Sequence, residues 1–169
     1  MTVRAEHFDL PHDPEVCGFV DLHCHMLPAL DDGARDLAEA LAMARIAVAD
    51  GICAAVLTPH QLGQNSQITG DAIRSAVESF RSALARERIP LQVFPGADVR
   101  IEPHLAERIV SGEVLSVADG RKYVLLELPH EVYVPLDGVL DALAAQGVRG
   151  ILTHPERNQG LLAHPQLVH

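Results

Sequence analysis

Gly18-Phe19-Val20-Asp21-Leu22 leads without a break into His23-Cys24-His25. A run of strand length thus ends on residue types that bind metal ions. The pattern recurs. Ile52-Cys53-Ala54-Ala55-Val56-Leu57 ends at Thr58-Pro59-His60, and Leu91-Gln92-Val93-Phe94 leads into Pro95-Gly96-Ala97-Asp98. Tyr123-Val124-Leu125-Leu126 delivers Glu127, and Val148-Arg149-Gly150-Ile151-Leu152-Thr153 delivers His154, with Arg157 close behind. The runs are apolar rather than alternating, as in strands covered on both faces of a parallel sheet. Such strands end at one face of the domain, where sites gather. The chain is therefore expected to be α/β, with one polar site at that face.

Helical periodicity fills the gaps. Leu37, Leu41, Ala44 and Val48 make an apolar stripe over 36–50, with Asp36 and Glu39 as a capping box and Gly51 as the stop. Ile73, Val77, Phe80 and Leu84 repeat the stepping over 71–88, and Pro90 ends it. A short helix follows Pro103, and another spans 136–146 before Gly147. This makes five βα units, the last cut short. Residues 1–17, with Pro11 and Pro14 and no periodicity, read as a leader, and 18–169 as the domain. A closed barrel of this kind takes about 250 residues. Either the sheet is open, or the chain is a fragment, or another subunit of a homo-oligomer covers the edge.

The chain has 169 residues, 48% hydrophobic and 4% aromatic, so its core must be built from Ala, Val, Leu and Ile. No apolar run approaches the roughly 20 residues that span a bilayer, so no membrane insertion is expected. The N-terminus lacks signal-peptide character, which makes a cytoplasmic location the default. Cys17, Cys24 and Cys53 suggest no disulfide framework, and Cys17 and Cys53 read as small buried residues. A net charge of −10 argues against nucleic acid. It leaves room for a phosphorylated substrate, because bound cations reverse the local sign.

His23 and His25, two apart on a strand, share a face and form a natural ligand pair. Asp21 shares that face at greater depth, and the Asp31-Asp32-Gly33 loop adds carboxylates or is a solvated turn. His60 and His154 are ligands or hydrogen-bonded loop residues. Glu127 has apolar neighbours and needs a cation, because an unpaired buried carboxylate costs several kcal/mol. Asp98 has the same need more weakly. A metal answers it, and so does an ion pair with Arg100 or Arg157. Mixed nitrogen and oxygen donors leave Mn, Fe and Zn open. Arg157 suits phosphate oxygens, or else pairs with Glu156.

Asp21-Leu22-His23-Cys24-His25, Leu27-Pro28 and Asp31-Asp32-Gly33-Ala34 resemble the opening of the PHP (polymerase and histidinol phosphatase) superfamily. Within it they are most similar to the bacterial manganese-dependent protein-tyrosine phosphatases of capsule and exopolysaccharide operons. Thr58-Pro59-His60, the segments 95–101 and 123–129, and Thr153-His154-Pro155-Glu156-Arg157-Asn158 follow in that family's order. The resemblance implies a distorted, TIM-barrel-like (β/α)7 PHP barrel with up to three Mn ions. His23 and His25 would hold one ion with Glu127, which bridges to a second held by Asp98 and His154. Asp32 and His60 would hold the third, and Arg157 would bind the phosphate.

Two departures stand out. Asp98 occupies a position usually taken by Glu, and the family's late Asp-x-His motif is absent. The barrel is thus expected to be incomplete at the C-terminus, and the chain to be a truncated form. The implied activity is metal-dependent hydrolysis of protein phosphotyrosine, on the tail of a capsule tyrosine kinase. The alternatives are a small-molecule phosphoesterase, such as a histidinol phosphatase, or an inactive binding remnant. No cysteine is followed by Arg six positions later, so a cysteine-dependent phosphatase loop is absent.

Overall fold

Two of the five apolar runs are each followed by a further short strand in the computed structural model, which describes residues 18–168. The leader expected at 1–17, including Cys17, lies outside the described residues. The second run forms β2 (Ile52–Leu57), and the chain resumes after Thr58-Pro59 as β3 (His60–Gln61). The third forms β4 (Gln92–Pro95), and the chain resumes after Gly96-Ala97 as β5 (Asp98–Arg100). Proline has no N–H for a ladder. At Gly96 a Cβ would lie 2.6 Å from Val56 Cγ1, so the close approach of the two chains requires glycine. Gly96 N–H still donates to the Leu57 carbonyl (3.0 Å) and Asp98 N–H to that of Pro59 (3.1 Å), which carries the pairing across both breaks.

The other runs form β1 (Phe19–Cys24), β6 (Tyr123–Glu127) and β7 (Arg149–Thr153). Two parallel sheets result, β1-β2-β4 and β3-β5-β6-β7. Since β2 continues into β3 and β4 into β5, the sheets are joined through two chain lines. Five lines then follow one another in sequence order. The fold is mixed α/β with parallel sheets, and no closed barrel is found among the described residues. The register sets His60 opposite Asp98, and Glu127 opposite Thr153.

β2 and β6 are buried as expected. β1 and β7 are not. Phe19 is 68% exposed, and Val20, Leu22 and Ile151 are also exposed. Each of these strands has a neighbour on one side only, so the reading of all five as doubly covered fails at the two edges.

The helices are α1 (Leu37–Ala49), α2 (Gly70–Arg86), α3 (Leu105–Ser111), α4 (Asp137–Ala145) and α5 (Gln159–Ala163). Asp36 caps α1 by accepting from Glu39 N–H (2.9 Å), but Glu39 reaches back to Arg35 N–H (2.7 Å) rather than to the cap residue. The buried stripe of α1 is Ala40, Leu41, Ala44 and Ala47, with Leu37 exposed. In α2, capped by Thr69, all four expected residues are buried: Ile73, Val77, Phe80 and Leu84. Gly51 and Gly147, at φ +87° and +73°, adopt the left-handed backbone that stops α1 and α4.

Cys53 is part-exposed and disulfide-bonded, so it is not the buried apolar residue expected from sequence. No described helix is long and apolar enough to cross a membrane.

Gly96→Ala should destabilise the domain by about 1–3 kcal/mol, because the strand junction has no room for a methyl group. Gly138→Ala in α4, where a Cβ meets nothing within 4 Å, should stabilise it slightly. Urea denaturation of the two variants checks this contrast.

Candidate metal centre

β1 puts His23 on one face and Cys24 on the other, and its pairing with β2 is irregular between Asp21 and Cys24. Such irregularities re-aim side chains at strand ends. His25 follows directly, and its Nε2 lies 3.3 Å from His23 Nε2. The Asp21 carboxylate accepts from His23 N–H (3.0 Å), which fixes the local backbone. Cys24 turns away and packs against the core, with Sγ 3.5 Å from the Val56 carbonyl. Burial, aided by the charge of Asp21, pushes its thiol up to about 12.

Asp31 ties the acidic loop to both histidine strands. Its carboxylate accepts from His25 Nδ1 (2.7 Å), Gly33 N–H (3.0 Å) and His60 N–H (3.0 Å). Burial pushes the Asp31 carboxyl up, but the bond from His25 and the two amides outweigh it and hold it below its usual range. A side chain at Gly33 would collide with the His25 backbone carbonyl, so the loop needs glycine there. Asp32 is exposed, and its Oδ1 lies 3.7 Å from His25 Nδ1 and 3.5 Å from His60 Nε2.

Asp98 is fully buried at the start of β5. Its Oδ1 accepts from Thr153 Oγ1 at 2.7 Å. Its Oδ2 lies 3.5 Å from His23 Nε2 and 3.7 Å from His60 Nδ1. Both Asp98 Oδ2 and His60 Nδ1 are buried and have no hydrogen-bond partner among the described residues. Burial pushes the Asp98 carboxyl up, but His23, Thr153 and the charge of His60 together hold it low.

His154 follows β7 with a left-handed backbone (φ 47°). Its ring lies 4.9 Å from that of His23. Five lines in a flat sheet would hold β1 and β7 roughly 19 Å apart, at about 4.8 Å per step. The sheets therefore curve enough to bring their outer edges together at the mouth.

Three groups of donor atoms lie within 4.8 Å of one another: His23, Asp98 and His154; His25, His60 and Asp98; His25, Asp31 and Asp32. Ligands about 2.0–2.2 Å from a tetrahedral cation sit roughly 3.3 Å apart. The donor separations around Asp98 Oδ2 are near this value and too long for good hydrogen bonds. Six of the seven expected ligands thus enter these groups. Glu127 enters none. Its carboxylate lies 3.2 Å from Arg100, 3.5 Å from His60 and 3.4 Å from His130. Asp98, rather than Glu127, is the carboxylate common to two groups.

Arg157 lies in the turn Pro155–Arg157 and lines a cleft of about 270 Å³ with His23, His25, Asp32, Gly33, His60 and His154. It makes no ion pair among the described residues. Glu156, its expected alternative partner, instead meets His154 Nδ1 at 3.1 Å.

Sequence reasoning missed three residues. Asp31 was noticed only as part of an acidic loop. His130 repeats the Pro-His pairing of Pro59-His60, a signal that was available. Thr153 carried no signal beyond standing next to His154.

A profile of the CpsB/CapC family, described as capsular polysaccharide synthesis, matches residues 19–169. The tyrosine-protein phosphatase YwqE of Bacillus subtilis (strain 168) is 36% identical over 152 residues, which is 89% of this chain and 59% of that protein. CapC of Staphylococcus aureus is 25% identical over 150 residues, 88% of this chain and 58% of that protein. Crystallographic work on YwqE and on CpsB from Streptococcus pneumoniae describes both as unique metal-dependent tyrosine phosphatases. A chain from it matches with a TM-score of 0.83 at 34% identity, over 89% of this chain and 61% of that one. The chain thus spans about three fifths of the length of these relatives.

Asp31→Ala should lower stability by about 1–3 kcal/mol, since it strips the acceptor from His25 and from two backbone amides. Urea denaturation in the presence of a chelator measures this loss apart from any metal effect.

Proposed function

We propose that this chain, which belongs to the CpsB/CapC family of capsular polysaccharide synthesis, removes phosphate from protein phosphotyrosine with the help of bound divalent metal ions. The observation that carries the reading is the facing pair Asp98 Oδ2 and His60 Nδ1, both buried and without a hydrogen-bond partner. Orphaned polar atoms in a protein interior are rare, and a cation between these two would satisfy both. The donor set fits such an ion. Four imidazoles with carboxylates suit Mn, Fe or Zn, and we propose manganese, up to three ions.

Asp98 is read as the carboxylate shared between two ions. His23 and His154 would serve one, and His25 and His60 the other. Asp32, with His60, would serve a third. Glu127 remains a proposed ligand through the oxygen that faces His60. Asp31 would hold the His25 ring in one tautomer and orientation, as carboxylates do for metal-bound histidines. We further propose that 18–169 forms the domain, and that its five chain lines are consecutive members of a distorted (β/α)7 PHP barrel. The meeting of His23 with His154 at the mouth supports that curvature.

When bound, the metal ions would supply a nucleophile near neutral pH and withdraw charge from the phosphoryl oxygens. Arg157, exposed at the cleft and without an ion pair among the described residues, would take two phosphoryl oxygens in its planar fork. Tyrosine leaves as a phenolate with a pKa of about 10, so it needs little help from a general acid. Cys24 faces away from the cleft and is held as a thiol, so it supplies no nucleophile. The proposed macromolecular substrate is a phosphotyrosine protein, in the first instance the tyrosine-rich tail of a capsule-associated kinase.

Turnover of p-nitrophenyl phosphate and of a phosphotyrosine peptide should require Mn and stop with EDTA. His23→Ala should abolish it. Arg157→Ala should lower kcat/KM by about 10²–10³-fold, and Cys24→Ser should leave it unchanged. Activity that survives both EDTA and His23→Ala would overturn the metal mechanism. Faster turnover of histidinol phosphate than of the peptide would overturn the assignment of substrate.

A further inference from the structure

We propose that Thr153 is a positioning residue for the metal centre: its hydroxyl holds one oxygen of Asp98, so that the other stays aimed at the ions. The inference rests on the metal reading above and deepens it.

Thr153 is the last residue of β7 and is buried. Its Oγ1 lies 2.7 Å from Asp98 Oδ1 and 3.1 Å from the Leu126 carbonyl. A hydroxyl has a single proton to donate. The carboxylate is charged and closer, so it is the stronger acceptor. The contact reaches from β7 across β6 to β5, lines about 9.6 Å apart in a flat sheet. It is therefore made inside the curved face, where the donor groups converge.

Rotation about the last torsion of an aspartate is soft and nearly two-fold. Two partners on different sides remove that freedom, and Asp98 has only one, at Oδ1. The hydroxyl thus decides which oxygen is engaged and which faces His23 and His60. The next residue, His154, belongs to the same group of donors as Asp98. One strand end would then deliver one ligand directly and aim another through a hydroxyl.

Thr153→Val keeps the shape and removes the hydroxyl, while Thr153→Ser keeps the hydroxyl. The readout is Mn binding to the whole chain, by titration calorimetry and by metal content after equilibrium dialysis. Thr153→Val should weaken one class of sites by about 10–100-fold, the usual effect of losing a group that orients a ligand. Thr153→Ser should restore binding to within a few-fold. In an Asp98→Asn background, Thr153→Val should add no further loss, because the carboxylate it acts through is gone. Thermal melts in chelator identify folded variants, and Thr153→Ala is read in the same way if the valine variant does not fold. Wild-type Mn affinity in folded Thr153→Val or Thr153→Ala, or a loss in Thr153→Ser as large as in the valine variant, overturns the role of Thr153. A wild-type chain that binds no divalent ion overturns the metal reading itself, and this inference with it.

Discussion

A carboxylate oxygen buried among imidazole nitrogens with nothing to bond is the constraint on which the remaining structure turns. Asp98 Oδ2 is buried and has no hydrogen-bond partner among the described residues, the nitrogens of His23 and His60 standing off at 3.5 Å and 3.7 Å. Leaving such a group unpaired costs several kcal/mol. Yet its neighbours stand at distances that suit a shared cation rather than direct bonds. The strands around it keep those neighbours in place. β3 sets His60 opposite Asp98, β1 turns His23 toward it, and β7 brings Thr153 to its other oxygen.

The charge pattern is consistent with this arrangement. The chain carries a net charge of −10, and several of its arginines pair with acids: Arg35 with Glu39, Arg74 with Asp119 and Arg108 with Glu113. Arg100 is drawn to the buried Glu127. Arg157 has no such commitment among the described residues and lines the histidine cleft. A guanidinium beside a cluster of candidate metal ligands would be electrostatically reasonable where an anion comes to lie between them.

Much of this was legible beforehand. The two-residue spacing of His23 and His25 put both on one face, and the ends of the apolar runs located His60, Asp98, Glu127 and His154. The stepping of Ile73, Val77, Phe80 and Leu84 named four residues that α2 buries, although the helix ends at Arg86 rather than at residue 88. Other features were not legible. The second and third runs end before Pro59 and Gly96, and nothing in them shows that the chain resumes beyond each as a short strand of a second sheet. α1 buries Leu41 and Ala44 as expected, but Ala40 and Ala47 take the places expected of Leu37 and Val48. β1 and β7 have the composition of covered strands, but they lie at edges.

Sequence by itself determined which residue types arrive at the ends of the strands, because burial along one element leaves a periodic trace in that element. It therefore determined the parallel α/β character and most of the residues that meet at the mouth. Only the tertiary structure decided how those donors are shared. It placed Asp98 rather than Glu127 in two of the donor groups, set Glu127 beside Arg100 as well as His60, and brought Asp31 to His25 and Thr153 to Asp98. The reason is that which oxygen faces which nitrogen depends on register and curvature across several strands. Those relations leave no periodic mark along the chain.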